Sequence, residues 1–246
     1  MAMKLVAVLN GCVSLTALAF LGCAGEEPVA KQDPAPKAAK APAKKINVGK
    51  NVSLEIGSGD ERRVVVEAEV CLRQGMLEQF LTRKRTKEHE AILVADVDAR
   101  NIHTALTLAK AEPGSPVKFQ PQYQPAKGTV VKVFLEYEDA DKKKHRVAAQ
   151  EWVRSIKTKK ILEHDWVFAG SVLIQDPFEK EKPPFYAAND GTVICVSNFE
   201  SALLDLPIMS TQLNDDLFFE AFTDRIPPLE TRVQVIFEPV LKKEKK

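Results

Sequence analysis

The residues best suited to chemistry fall in one short segment, Lys87-Glu88-His89-Glu90. In an extended strand its two glutamates point to one face, about 6 to 7 Å apart at their attachment points, and its histidine points to the other. If the segment turns instead, these side chains could converge with a histidine on a predicted helix and a cysteine on a neighbouring hairpin. The candidate ligand or active-site residues are Cys71, Glu78, Glu88, His89, Glu90 and His103.

A set of histidine, carboxylate and thiolate ligands suits a divalent transition metal such as zinc. The fourteen-residue spacing between His89 and His103 matches no known ligand signature. The alternative interpretation is a charged entrance to a strand beside a partly buried helix histidine. His145 and His164 lie in highly charged stretches and are predicted to be exposed side chains.

Cysteine usage limits the cofactors that the chain can hold. Cys12 and Cys23 belong to the N-terminal segment, so a folded domain keeps Cys71 and Cys195. Two thiols are too few for an iron–sulfur cluster or a four-cysteine zinc site. They could form a disulfide, or they could be two separately buried thiols.

The N-terminal residues have the pattern of a lipoprotein signal peptide. Residues 1–22 carry one charge, Lys4, followed by an apolar run that ends at Phe20-Leu21-Gly22-Cys23. These last residues resemble a bacterial lipobox, which predicts cleavage before Cys23 and its lipidation. Ordinary cleavage after Ala24 and a retained anchor are the alternatives. The absence of Asp after Cys23 favours export to an outer membrane, with the domain facing the periplasm.

The next stretch, residues 23–45, consists mainly of Ala, Pro, Lys and Glu and is predicted to be an extended, solvated tether. Residues 46–241 are long enough for one domain, and residues 242–246 form a basic tail. The whole chain has 35 basic and 34 acidic side chains, and loss of Lys4 with the leader leaves 34 of each. This balance argues against a dedicated nucleic-acid binder.

Alternation of apolar and polar residues predicts most of the secondary structure. It indicates strands near residues 66–72, 90–97, 131–137, 166–174, 192–197 and 232–240, with residues 76–82 returning as a hairpin partner of the first strand. The run at 90–97 is apolar on both faces, which is typical of a central strand. The charged turn at residues 139–144 predicts a second hairpin. Trp152, Trp166 and Phe168 are predicted to lie in the core.

Helical spacing is clearest after Asp98, a predicted N-cap, and extends to Pro113-Gly114. Residues 199–206 and 213–222 are predicted to form two short helices. Strands outnumber helices and many connections look like hairpins. We therefore expect a single α+β domain with a mostly antiparallel sheet and a few helices.

Several of these segments together resemble the YdjY-like domain of uncharacterised bacterial exported proteins. The resemblance rests on Cys71-Leu72-Arg73-Gln74-Gly75-Met76-Leu77-Glu78, Lys87-Glu88-His89-Glu90, Trp152, Phe168-Ala169-Gly170-Ser171 and Asp190-Gly191. It implies no established activity. Some members are described as ferredoxin-like with additional cysteines, which this chain lacks.

Two functions remain open from the sequence. We favour an envelope lipoprotein whose non-catalytic domain binds an envelope protein, a cell-surface polymer or a small ligand. The alternative is a metal-dependent or redox enzyme that uses the Lys87-Glu88-His89-Glu90 segment with His103 and Cys71.

Overall fold

The computed structural model describes residues 44–59, 61–210 and 219–241. The predicted leader over residues 1–22, the lipidation site Cys23, the tether up to residue 43 and the basic tail over residues 242–246 lie outside the described residues. All described residues belong to one compact unit, Pro36–Lys246.

The described elements are mostly short strands. In chain order the strands are β1 (Lys44–Gly49), β2 (Val52–Ile56), β3 (Arg62–Val70), β4 (Met76–Leu77), β5 (Gln79–Arg83), β6 (Ala91–Ala95), β7 (Pro113–Ser115), β8 (Lys127–Gly128), β9 (Val130–Glu138), β10 (Lys144–Ala148), β11 (Val153–Ser155), β12 (Trp166–Phe168), β13 (Leu173–Ile174), β14 (Phe185–Tyr186), β15 (Ile194–Cys195), β16 (Leu204–Asp205), β17 (Phe219–Ala221) and β18 (Arg232–Pro239). The helix α1 (Ala99–Leu108) lies between β6 and β7.

Eight of the strands close into a barrel in the order β3, β18, β9, β12, β16, β15, β5 and β6, after which β6 pairs with β3 again. The β5–β6 and β15–β16 pairs are parallel and the other pairs of the ring are antiparallel. Outside the ring, β2 extends the sheet from β3 with β1 beyond it, and β10 pairs with β9.

The expected α+β class is therefore wrong, because the fold is mostly β with a closed barrel. The closure depends on β3, whose two ends have different neighbours on one side. Residues Arg62–Val66 pair with β2, whereas Glu69 and Val70 pair with Val94 and Leu93 of β6. This contact joins strands that a local pattern would leave as the two edges of an open sheet.

The interior of the barrel is filled by side chains, as expected for eight strands. Trp166, Phe80, Phe168 and Phe237 are fully buried, and the Phe80 and Trp166 rings lie 5.7 Å apart. Trp152 is also buried, so the predicted placement of Trp152, Trp166 and Phe168 in the core is confirmed.

The predicted hairpins have different outcomes. The charged turn joins β9 to β10 in the expected antiparallel hairpin. The segment after Gly75 does not return beside β3. Instead β5 pairs with β15 and lies parallel to β6, while β4 joins β11 and β17 in a separate three-stranded sheet.

Helix α1 is confirmed at the position that its N-cap predicts. The Asp98 side chain accepts a hydrogen bond from Arg100 N at 2.9 Å, and Ile102 and Leu106 are buried on the inner face. The predicted helix over residues 199–206 is wrong, because this stretch is a turn followed by β16. The other predicted helix lies partly outside the described residues, and its described end is β17. Within the described ranges, no helix has the length and apolarity needed to cross a membrane.

Candidate functional site

The segment Lys87-Glu88-His89-Glu90 forms a single 3₁₀ turn that leads into β6. The Glu88 carboxylate accepts hydrogen bonds from the backbone N–H groups of Arg85 and Thr86, the latter at 2.9 Å. The His89 side chain is 77% exposed, and its Nε2 lies 3.8 Å from Glu90. Glu88 therefore stabilises the turn through its backbone hydrogen bonds, and the His89 side chain points into solvent.

Glu78, Lys87 and Glu90 form an acid–lysine cluster at the start of β5 and β6. Lys87 Nζ lies 2.7 Å from Glu90 Oε1 and 3.6 Å from Glu78 Oε2, and it lies 5.2 Å from the centre of the Phe199 ring. Burial raises the pKa of Glu78, and the negative charge of Glu90 adds to the rise. Burial alone would lower the pKa of Lys87, but its hydrogen bond to Glu90 and the two carboxylate charges raise it. Glu78 therefore takes up a proton more readily than an ordinary glutamate, while Lys87 holds its proton more firmly than an ordinary lysine.

The two cysteines of the domain are free thiols in the structure. Cys71 Sγ lies 3.1 Å from the carbonyl oxygen of Ala91. Burial, with a contribution from the charge of Glu88, raises the pKa of Cys71 to about 12. Cys195 is completely buried, and burial also raises its pKa. Because thiolates are the metal-binding and nucleophilic form, neither cysteine is poised for chemistry at neutral pH.

His103, a residue of helix α1, makes a polar contact that is separate from the other candidate residues. The Tyr186 hydroxyl donates to Gly170 O at 2.8 Å, so it accepts the hydrogen bond that joins it to His103 Nδ1 at 2.8 Å. The imidazole also packs edge-on against Phe168 at 4.9 Å. Burial lowers the pKa of His103. These contacts indicate a packing role for His103.

The candidate residues therefore divide into separate places. Glu78 and Glu90 come together around Lys87, whereas His89 faces solvent and His103 contacts Tyr186. No group of three or more His, Cys, Asp or Glu side chains in the described part of the chain is arranged to hold a metal ion.

A cleft of about 880 Å³ lies beside the β9–β10 hairpin and the start of β18. We call it the hairpin cleft. Its lining is mostly charged and polar, and it consists of Glu67, Glu136, Tyr137, Glu138, Asp139, Ala140, Lys144, His145, Arg146, Pro228, Thr231, Arg232, Val233 and Gln234.

One wall of the hairpin cleft is an aromatic and acidic group. The Tyr137 and His145 rings stack at 4.9 Å with 14° between their planes, because these residues are directly opposite in the β9–β10 register. His145 Nε2 donates to Asp139 Oδ2 at 2.6 Å. This bond, together with backbone N–H groups from Asp141 and Lys143, lowers the pKa of Asp139.

The phenol of Tyr137 has no hydrogen-bond partner among the described residues. The ring also contacts Trp152 edge-on at 5.6 Å. Burial, followed by the charges of Asp139 and Glu151, raises the pKa of Tyr137, so the phenol keeps its proton and can donate it to a ligand.

The other surface of the cleft is a row of side chains in register across four strands. Glu67 of β3 lies opposite Gln234 of β18, which lies opposite Glu136 of β9 and then Arg146 of β10. Gln234 Nε2 donates to Glu67 Oε1 at 2.9 Å. Arg146 contacts Glu136 and also reaches Glu238 Oε1 at 2.7 Å. The row gives the cleft donors and acceptors at regular strand spacing.

The sequence does not predict this site, because the charged residues around His145 favour an exposed histidine. Its side chain is 27% exposed and is held by Asp139 and Tyr137. The predicted hairpin is only a partial signal. The turn of the structure is one residue shorter than the predicted 139–144, so that Lys144 pairs with Glu138 and His145 lies opposite Tyr137.

Most of the chain matches the model of a known protein family. Residues 58–238 match the YdjY domain over well more than half of the sequence. The chain belongs to the YdjY family. No curated protein and no solved structure is significantly similar to it.

The matched YdjY domain contains both the acid–lysine cluster and the hairpin cleft. Some residues that carried the resemblance have structural roles. Arg73 donates to the backbone oxygens of Thr223 and Ile226, and Trp152 is buried. Gly191 adopts a φ of 109°, where an added Cβ would lie 2.6 Å from Thr82 Oγ1.

Proposed function

We propose that the chain is an envelope lipoprotein whose YdjY domain binds a polar ligand in the hairpin cleft without transforming it. The observation that carries the proposal is the cleft itself. It measures about 880 Å³, comparable to known small-molecule sites, and its walls are fixed by strand register.

The composition of the lining favours binding over catalysis. Among the described residues that line the cleft, none is a serine or a cysteine, and Thr231 supplies the one aliphatic hydroxyl. The Asp139 carboxylate is already occupied by two backbone N–H groups of the turn and by His145. The His145–Asp139 pair therefore fixes the position of an aromatic wall.

The proposed location rests on the N-terminal sequence. The apolar leader, the lipobox-like residues before Cys23 and the Ala, Pro and Lys tether together fit a domain held near a membrane by lipid. In that setting the ligand is a small molecule, a segment of a cell-surface polymer or part of an envelope protein. We favour the outer membrane, with the domain facing the periplasm.

A matched pair of tryptophan variants tests the role of the cleft. Thr231→Trp places a large ring at the cleft, whereas Thr104→Trp places the same ring on the exposed face of α1. The full-length protein is incubated with the low-molecular-weight and polymer fractions of an envelope extract, and bound species are detected by native mass spectrometry. We expect a bound mass that Thr231→Trp removes and Thr104→Trp retains. Retention by both variants, or no bound mass on the parent protein, contradicts the proposed function.

The location has its own experiment. Mass spectrometry of the native protein should find diacyl glycerol and a fatty acyl chain on Cys23, and Cys23→Ala should release the protein from the membrane fraction. An unmodified Cys23 in membrane-associated protein would contradict the lipid anchor and leave the cleft proposal intact.

A further inference from the structure

The charges of the hairpin cleft are unevenly compensated. Three of its carboxylates each have a guanidinium, imidazole or ammonium group as a partner within the cleft. These pairs are Glu136 with Arg146, Asp139 with His145 at 2.6 Å, and Glu138 with Lys144 at 3.8 Å.

One carboxylate and one guanidinium of the cleft have no such neighbour in the described ranges. Glu67 is exposed and accepts a hydrogen bond from Gln234, a neutral donor. Arg232 is exposed, and no described residue forms a hydrogen bond or ion pair with its guanidinium. Glu69, directly opposite Arg232 on β3, has its carboxylate 3.7 Å from Lys84 Nζ.

The strand register sets the spacing between the backbone positions of Glu67 and Arg232. Glu67 pairs with Gln234, and Arg232 lies two residues earlier on the same face of β18. Such diagonal positions on neighbouring antiparallel strands are about 7 to 8 Å apart. An extended dipeptide spans up to about 7 Å, so it is about as long as the spacing between these two backbone positions.

A direct ion pair between Glu67 and Arg232 would compete only weakly with a ligand that binds both side chains. An ion pair between two exposed side chains contributes at most about 1 kcal/mol, because water solvates both charges and the long side chains lose freedom. A ligand that supplies both charges and also bonds to fixed groups of the cleft can displace it. Gln234, directly opposite Glu67 and on the same face as Arg232, offers its amide oxygen as such a group.

We propose that the hairpin cleft binds a short peptide with both termini free, its carboxylate at Arg232 and its ammonium at Glu67. The guanidinium suits a carboxylate because its N–H groups match the two oxygens. This inference rests on the proposed binding function and adds the chemical class of the ligand.

Three related dipeptides separate the two charges in calorimetric titrations. They are alanyl-alanine, its N-acetyl form without the ammonium, and its C-terminal amide without the carboxylate. We expect either blocked form to bind at least about tenfold more weakly than the free dipeptide, which is the loss of one charge-assisted contact. Arg232→Gln should make the free and amidated forms bind alike, and Glu67→Gln should make the free and acetylated forms bind alike.

Two exposed residues that do not line the cleft provide matched controls, Lys118→Gln and Glu163→Gln. Both should retain the parent order of affinities, and circular dichroism should show that all four variants are folded. Equal binding of the three dipeptides, or no binding of the free dipeptide, overturns the inference. If the free dipeptide fails to bind while the envelope ligand remains sensitive to Thr231→Trp, the peptide inference falls and the binding function stands. If Thr231→Trp also has no effect, both fall.

Discussion

Asp205 should make the stability of the domain fall as the pH rises through neutrality. Its side chain is completely buried on β16, where it accepts hydrogen bonds from Asn198 Nδ2 at 3.0 Å and from the N–H groups of Leu206 and Phe199 at 2.8 and 3.3 Å. Burial raises the pKa of Asp205 from 3.8 to about 7, although these hydrogen bonds oppose the rise. The folded protein therefore holds a proton that the unfolded chain releases.

The sign and size of the effect follow from that difference. The protonated Asp205 favours the folded state fully below pH 3.8, and the advantage is lost as the pH rises through about 7. A difference of about three pKa units at about 1.4 kcal/mol each corresponds to a free energy of unfolding lower by roughly 4 kcal/mol.

Asp205→Asn isolates this contribution because asparagine is neutral at every pH. Its amide oxygen can keep the hydrogen bonds from Asn198 and Leu206, but its NH₂ group cannot accept the one from Phe199. This lost bond costs about 1 kcal/mol at all pH values and cancels when two pH profiles are compared. Urea denaturation followed by tryptophan fluorescence between about pH 4 and pH 8 gives both profiles.

As the pH rises from about 4 to about 8, we expect the free energy of unfolding of the variant to increase relative to that of the parent protein by roughly 3 to 4 kcal/mol. Parallel profiles would show that Asp205 binds protons equally in the folded and unfolded states, and the reasoning from burial would then be wrong. If the free energy of unfolding of the variant instead fell relative to that of the parent protein as the pH rises, the reasoning from burial would also be refuted.

Three other predictions concern the stability and reactivity of the domain. Gly191→Ala should lower the free energy of unfolding by about 2 kcal/mol or more, because the new Cβ would lie 2.6 Å from Thr82 Oγ1 at a residue with a left-handed φ. A change of less than about 0.5 kcal/mol in urea denaturation would contradict this prediction. Cys71 and Cys195 should not react with a thiol reagent at about pH 8 until the protein unfolds, because burial raises the pKa of both thiols. A stoichiometric reaction of either thiol in the folded protein would contradict this prediction. Lys87→Met should lower the free energy of unfolding by about 1 kcal/mol near pH 7 and by less in acid, because Glu78, whose pKa is raised by burial, then loses its charge. An unchanged cost at both pH values would argue against the acid–lysine cluster.

The strands were predictable because their side chains alternate over long enough runs. Residues of β3, β9 and β18 show the expected change between buried and exposed positions, and the charged turn correctly joins β9 to β10. The closure of the barrel was not predictable in the same way. It depends on two residue pairs between β3 and β6, whose pairing is set by the whole chain and leaves no local periodic signal.

The candidate site was partly predictable for a related reason. Strand geometry separates Glu88 and Glu90 from His89, but the segment is a 3₁₀ turn, so Glu88 bonds to the backbone and Glu90 turns towards Lys87. Residue types indicated which groups could ionise. The choice between a structural and a functional role for the segment depends on its contacts with Glu78, which lies between β4 and β5.

The two charged sites of the domain differ in how their charges are compensated, and this difference bears on where we propose that a ligand binds. In the acid–lysine cluster, Lys87 contacts both carboxylates and lies over an aromatic ring, so an incoming group would have to replace contacts that already exist. In the hairpin cleft, Glu67 and Arg232 are held at strand spacing with no ionic partner among the described residues. Under the proposed function, a ligand there would gain two charge-assisted contacts without breaking an ion pair, which is why we propose the cleft, and not the acid–lysine cluster, as the binding site.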